Sequence, residues 1–194
     1  MQHTSALALY FVVFFVVIFV WRSWLVYRRT GINPVVLSRQ DDALGYVGRA
    51  FKWLMLGLAL HVFALALLPT YVALDITAYP ALQWLGWGIL LTALPTAGWA
   101  QHDMGAAWRI GIDEAAQPQL IQHGVYKLSR NPIFLATRMA LLGLMLVSPG
   151  AVTLVFAALG EVLMQVQVRL EEAYLQRCLG QIYANYCARV PRWL

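Results

Sequence analysis

The chain has 194 residues, of which 61% are hydrophobic and only 12% charged, with a formal net charge of +5. That length bounds it to one domain or two, and a soluble domain rarely reaches so apolar a composition. The apolar residues fall in blocks long enough to cross a bilayer as helix, roughly 17–25 residues each. The sequence therefore reads as an all-α, polytopic protein of the lipid bilayer, and its positive charge calls for no nucleic-acid partner.

Five transmembrane helices are expected. The first covers about Ala6–Tyr27, the second about Phe51–Leu68 and the third about Pro80–Ala100. The fourth (about Pro132–Val147) and the fifth (about Ala151–Leu170) form a tight hairpin across Ser148–Gly150. The first has no basic stretch ahead of it and no small-residue cleavage site, so it reads as a membrane helix and not as a signal peptide. Arg28, Arg29, Arg39, Arg49 and Lys52 lie between or flank the first two spans. Arg109, Lys127 and Arg130 lie between the third and fourth, and Arg169, Arg177, Arg189 and Arg192 lie at and after the end of the fifth. The connection between the second and third spans carries only Asp75. Basic residues mark the cytoplasmic side, which puts the N-terminus outside and the C-terminus in the cytoplasm.

Several polar features read as structural. Cys178 and Cys187 fall in the inner tail, where a disulfide is not expected, and no Cys/His cluster has metal-ligand spacing, so no metal is expected. His61, within the second span, reads as a helix-packing residue. Gly86-Trp87-Gly88 is a fragment of a nucleotide-binding pattern, but it lies inside the third span and reads as close helix packing through small residues.

The segment from His102 to Leu194 is more informative. It opens "HDMGAAWRIGIDEAAQPQLIQHGVYKLSRNPIF", too polar for a span and too patterned for a plain loop. It closes on an amphipathic helix, "EEAYLQRCLGQIYANY", broken at Gly180, whose Tyr174, Tyr183 and Tyr186 suit a membrane interface. Taken singly, these pieces are a connecting loop and a surface helix. Their order carries more: Gly105 and Trp108, then Leu120, Gly124 and Tyr126, then Arg130-Asn131-Pro132 with Phe134, then the hairpin, then Glu171-Glu172, Gly180, Tyr183, Tyr186 and Val190-Pro191. This ordered set resembles the isoprenylcysteine carboxyl methyltransferase family, with its bacterial relatives and the phosphatidylethanolamine methyltransferases nearby. It covers about the C-terminal half of the chain.

The resemblance implies an integral membrane methyltransferase of a bacterial inner membrane, with S-adenosylmethionine held in a pocket at the cytosolic face. Residues 1–100 would supply three transmembrane helices. Residues 101–194 would supply the cofactor-binding loop, the hairpin and the C-terminal amphipathic helix, in one integral domain. Carried over, Pro118, Gln119, Leu120 and Ile121 would contact the cofactor, Tyr126, Asn131, Pro132, Ile133 and Phe134 would continue the wall, and Glu171 would close it. The physics agrees with this placement. Pro132 suits a first helical turn, where its missing N–H costs nothing, and the free backbone N–H groups and positive end of that turn suit a carboxylate. Glu171 would take the cofactor's ammonium or its ribose hydroxyls. If the acceptor is a thiol or an amine, a carboxylate can take its proton, which makes Glu171 and Glu172 the catalytic candidates.

Two positions depart from the family's pattern. Its Arg-His-Pro is Arg130-Asn131-Pro132 here, a mild change. The family also places an arginine one helical turn before the carboxylate at 171, where it meets the acceptor's carboxylate, and here that position is Gln167. A prenylcysteine carboxylate is therefore not the expected acceptor. Arg138, Glu161 and Gln165 are polar groups at membrane depth. Such groups face a cavity or a partner, so these readings stand: an Arg138–Glu161 pair that ties the hairpin, snorkelling by Arg138, or, with Gln167, the wall of an acceptor tunnel in which Arg138 serves the reaction. The expected acceptor is hydrophobic or small and reached from the membrane: a carboxylate, a thiol or a lipid amine. A second class stays open, because the C-terminal parts of membrane sterol reductases resemble the same block and hold NADPH. Their many more spans argue against it. A third is a non-catalytic membrane binding protein.

Overall fold

The computed structural model describes residues 2–36, 43–68, 79–111 and 117–194, so Arg39 and Asp75 lie outside the described residues. The described chain is helical. Helix α1 (Gln2–Phe15) passes through a π-helical segment (Val16–Trp21) into α2 (Arg22–Thr30). Then come α3 (Ala43–Leu67), α4 (Pro80–Met104), α5 (Pro132–Val147), α6 (Ala151–Leu179) and α7 (Gln181–Cys187). Pro80 and Pro132 each open a helix at its first turn, where proline's fixed φ is already helical.

Among the described residues, three helical stretches are long and apolar enough to cross a membrane: Thr4–Thr30, Ala43–Leu67 and Ala151–Leu179. The other two expected spans fall short for different reasons. Helix α5 has only 16 residues. Helix α4 is as long as α3 but carries Gln83, Thr92, Thr96 and Gln101 among its apolar residues. Helix α6 also runs well past the expected end of the fifth span. Nothing in "EEAYLQRCL" breaks a helix before Gly180, whose φ of 52° turns the chain into α7.

Side-chain contacts set the helix directions. Tyr10 donates to the Leu90 carbonyl (2.7 Å), Gln101 to that of Ile18 (2.8 Å) and Arg22 to that of Gly105 (2.6 Å), so α1–α2 run parallel to α4. Gln101 is buried, and it satisfies a carbonyl inside the π-helical segment, where a Ser23 hydroxyl satisfies that of Phe19. A wide turn frees such groups from the ordinary ladder. His61 Nε2 lies 2.9 Å from Thr153 Oγ1, which donates to the Ser148 carbonyl, also at 2.9 Å. With the Thr153 hydrogen committed there, His61 is the donor, and it ties the far end of α3 to the start of α6. Helices α3 and α6 are thus antiparallel, as are α5 and α6.

The core sits where four helices meet, around Leu7, Phe14, Ile18, Leu58, Val62, Leu90, Ala97, Ala136, Ala140 and Leu144. The closest crossing is that of α4 and α5. A Cβ on Gly86 would stand 2.8 Å from Val147 Cγ2 and 3.0 Å from the Gly143 carbonyl, and one on Gly143 would stand 2.6 Å from Leu90 Cγ. The packing expected of Gly86-Trp87-Gly88 therefore falls to Gly86, since a Cβ on Gly88 meets nothing within 4 Å. One contact has no sequence signature. Val36 N–H reaches the Ile110 carbonyl and Ile110 N–H the Pro34 carbonyl, both at 2.8 Å, joining the segment after α2 to the segment after α4.

Candidate active site

The hinge between α4 and α5 is built locally. A short 3₁₀ turn spans Gly124–Lys127, and Asp103 at the end of α4 accepts from Val125 N–H at 2.9 Å. Gly124 has φ 58°, and a Cβ there would fall 1.9 Å from Asp103 Oδ2, so only glycine lets the turn close over its cap. Tyr126, buried, offers its carbonyl to the Tyr186 hydroxyl at 2.7 Å. Burial pushes the Tyr126 phenol well above its usual range, and the nearby Glu171 charge adds to the shift. Tyr186 is pushed up to about 12 by burial, with Arg130 opposing.

The last residues of the chain fold back onto this hinge. Arg130 N–H donates to the Pro191 carbonyl at 3.0 Å, while the Ser129 hydroxyl and the Asn131 amide both reach the Arg192 carbonyl at 3.2 Å. Beneath them lies Glu172. It accepts from Arg192 Nη2 at 2.6 Å and from Arg192 Nε at 3.0 and 3.1 Å, and it lies 3.3 Å from Asn131 Nδ2 and 3.5 Å from Arg130 Nη2. The bond to Glu172 raises the Arg192 pKa above its already high value. Arg130 also donates through Nη1 to Cys187 Sγ.

Above the hinge opens a cavity of about 1130 Å³. All ten residues expected to hold the cofactor line it: Pro118, Gln119, Leu120, Ile121, Tyr126, Asn131, Pro132, Ile133, Phe134 and Glu171. Gln167, Glu172 and Arg130 line it too. Glu171 has a single hydrogen-bond partner among the described residues, the Gln167 amide at 2.8 Å. Arg130 keeps its Nε buried with no hydrogen-bond partner among the described residues. Among the described residues the wall thus offers a carboxylate, Glu171, with no cation paired to it. A cationic group in the cavity would complement it.

The cavity extends beyond this polar part, between α1 and α3. There the wall is Phe11, Phe14, Phe15, Phe19, Phe51, Met55, Leu58 and Val62. Val12, Phe15, Val16, Leu56 and Phe63 line it and are also exposed on the outer surface, so this arm opens sideways between the two helices. Sequence reasoning missed the arm, because α1 and α3 show only uniform apolarity. It also gave Arg130 no role, although the residue stands within the motif.

Arg138, Glu161 and Gln165 do not line the cavity. Arg138 Nε pairs with Glu161 Oε2 at 2.7 Å, and Gln165 donates to the other Glu161 oxygen at 2.7 Å. The Arg138 guanidinium lies 4.4 Å from the centre of the Trp193 ring, a cation–π contact to the tail. Among the described residues no group of three or more His, Cys, Asp or Glu side chains is placed to hold a metal ion.

No curated protein matches the chain. The family described as phospholipid methyltransferase matches residues 81–182, more than half of the chain, from the start of α4 through the hinge and hairpin into α7. That stretch takes in the greater part of the cavity's polar wall. The chain belongs to the phospholipid methyltransferase family.

Proposed function

We propose that the chain is an integral membrane methyltransferase that uses S-adenosylmethionine and methylates an acceptor dissolved in the bilayer. The observation that carries this reading is one continuous cavity with two unlike parts. A polar part at the hinge joins an apolar arm that opens between α1 and α3. At about 1130 Å³ it exceeds the roughly 300–1,000 Å³ usual for a single small ligand, so it has room for a cofactor and a lipid-like acceptor together. The proposed arrangement has five spans, with the basic hinge end in the cytoplasm and the N-terminus outside. Exposed Trp24, Tyr27, Tyr46 and Trp99 near that end, and Tyr79 and Trp84 near the other, suit the two interfaces.

When bound, S-adenosylmethionine supplies a methyl group on a sulfonium that is already a good leaving group. The residues have only to bind, align and keep water out. Glu171 takes the cofactor's ammonium. The first-turn N–H groups of α5 take its carboxylate, and the segment from Pro118 to Ile121 with Tyr126 walls its remainder. Gln167 sits one helical turn deeper than Glu171, where the polar wall gives way to the apolar arm. Its amide N–H faces Glu171, which leaves its carbonyl oxygen for the acceptor. That oxygen favours a head group bearing N–H, S–H or O–H over a carboxylate. Glu172 is already engaged by Arg192, Arg130 and Asn131, so it is not the base, and Arg138 is paired outside the cavity.

The test supplies purified protein with methyl-labelled S-adenosylmethionine and a membrane lipid extract. Label should pass into the organic phase, and Gln167→Leu should lower that transfer about tenfold by removing a buried hydrogen bond. Label recovered only in water-soluble products would contradict the bilayer acceptor.

A further inference from the structure

The chain's last residues make more polar contacts with the hinge than anchoring a tail requires. Arg192 meets Glu172 through two nitrogens, and its carbonyl receives the Ser129 hydroxyl and the Asn131 amide. Pro191 receives the Arg130 N–H. Val190 packs with Tyr183 and Tyr186, and Trp193 lies over Arg138. Ser129, Arg130 and Asn131 are thus held from below at each residue, immediately before the first turn of α5. Glu172 is 11% exposed, and three groups from two separate segments converge on it. A buried carboxylate with that many donors is fixed in place.

From this we infer that Glu172 and Arg192 are positioning residues: the C-terminal strap Val190–Trp193 sets the Arg130–Pro132 wall at the height the cofactor needs. The inference rests on the cofactor reading proposed above. Two observations separate the strap from a passive anchor. Arg130 and Asn131 line the cavity, so a shift in the strap moves the wall itself. Removing the Arg192 guanidinium would also free Glu172 to draw in Arg130, the nearest remaining cation, and so shift the part of the wall that Arg130 forms. The apolar arm between α1 and α3 touches none of this.

The experiment measures S-adenosylmethionine affinity by calorimetry, thermal midpoint, and KM for both substrates. It uses the unmodified chain, Arg192→Ala, Arg192→Lys and a chain lacking only Leu194, which is 80% exposed. Arg192→Ala should weaken cofactor affinity about tenfold or more, as loss of a charge-assisted contact does, with acceptor KM unchanged. Arg192→Lys keeps one charged contact and should restore part of the loss, and the chain lacking Leu194 should match the unmodified protein. Two results would overturn the inference: unchanged cofactor affinity in Arg192→Ala, or a parallel fall in thermal midpoint and in both affinities that lysine does not rescue. Absence of binding by the unmodified chain would instead overturn the cofactor reading, and the strap's role with it.

Discussion

Glu171 and Glu172 are adjacent in sequence and opposite in circumstance. Glu172 is surrounded by Arg192, Arg130 and Asn131, while among the described residues Glu171 has only the Gln167 amide. A helix turns about 100° per residue, so neighbours in sequence face different surroundings, and no sequence pattern distinguishes the two. The same reasoning governs Arg138. Seven residues from Asn131 place it on nearly the same helix face, yet its long side chain swings to Glu161 and Trp193. Both partners of that pair remain about a third exposed, which reduces its worth relative to a fully buried pair. Arg138→Ala leaves Glu161 without its cation and should lower stability by about 1 kcal/mol. The double variant with Glu161→Ala should recover part of the loss. Thermal unfolding in one detergent measures both, and a double variant less stable than either single one would show that the two do not act as a pair.

At the scale of the elements, close approach decides more than hydropathy. Helices α4 and α5 cross where Gly86 and Gly143 leave no room for a side chain, and without a hydrophobic drive between helices in lipid such packing supplies much of the association. Gly86→Val should push the helices apart and cost about 1–3 kcal/mol. Gly88→Ala meets open space and should be neutral or stabilising by up to about 1 kcal/mol through helix propensity. Equal destabilisation by both, read as shifts in thermal midpoint, would mean the crossing is not where it is placed here. The starts of α4 and α5 were legible because proline announces them. The early start of α3 and the late end of α6 were not, because hydropathy marks where a helix crosses the edge of the apolar layer and says nothing of where it begins or stops. The π-helical segment was equally silent. Its Val16, Val17, Ile18 and Val20 are β-branched and stiff, but the feature that accompanies the wide turn, Gln101, lies on another helix.

For the molecule as a whole, the hinge and the tail were legible as an ordered motif, and the structure brings their residues to one cavity wall. The apolar arm was not legible, since a lipid-facing wall and a tunnel wall have the same composition. Lengths in the sequence suggested five spans, whereas among the described residues three stretches have the length and apolarity to cross a membrane by themselves. Helices α4 and α5 lean on each other instead. The central claim is that the polar half of this cavity holds S-adenosylmethionine. Calorimetric titration of the detergent-purified protein with that cofactor tests it most directly, run alongside Glu171→Ala, Tyr126→Ala and, as a control at an exposed position, Cys178→Ser. The account predicts saturable binding by the unmodified chain and the control. It predicts affinity lower by about tenfold to a hundredfold in Glu171→Ala, the roughly 1.5–3 kcal/mol of a contact to a charged group, with a smaller loss in Tyr126→Ala. No binding by the unmodified protein, or binding that neither wall variant alters, would contradict it.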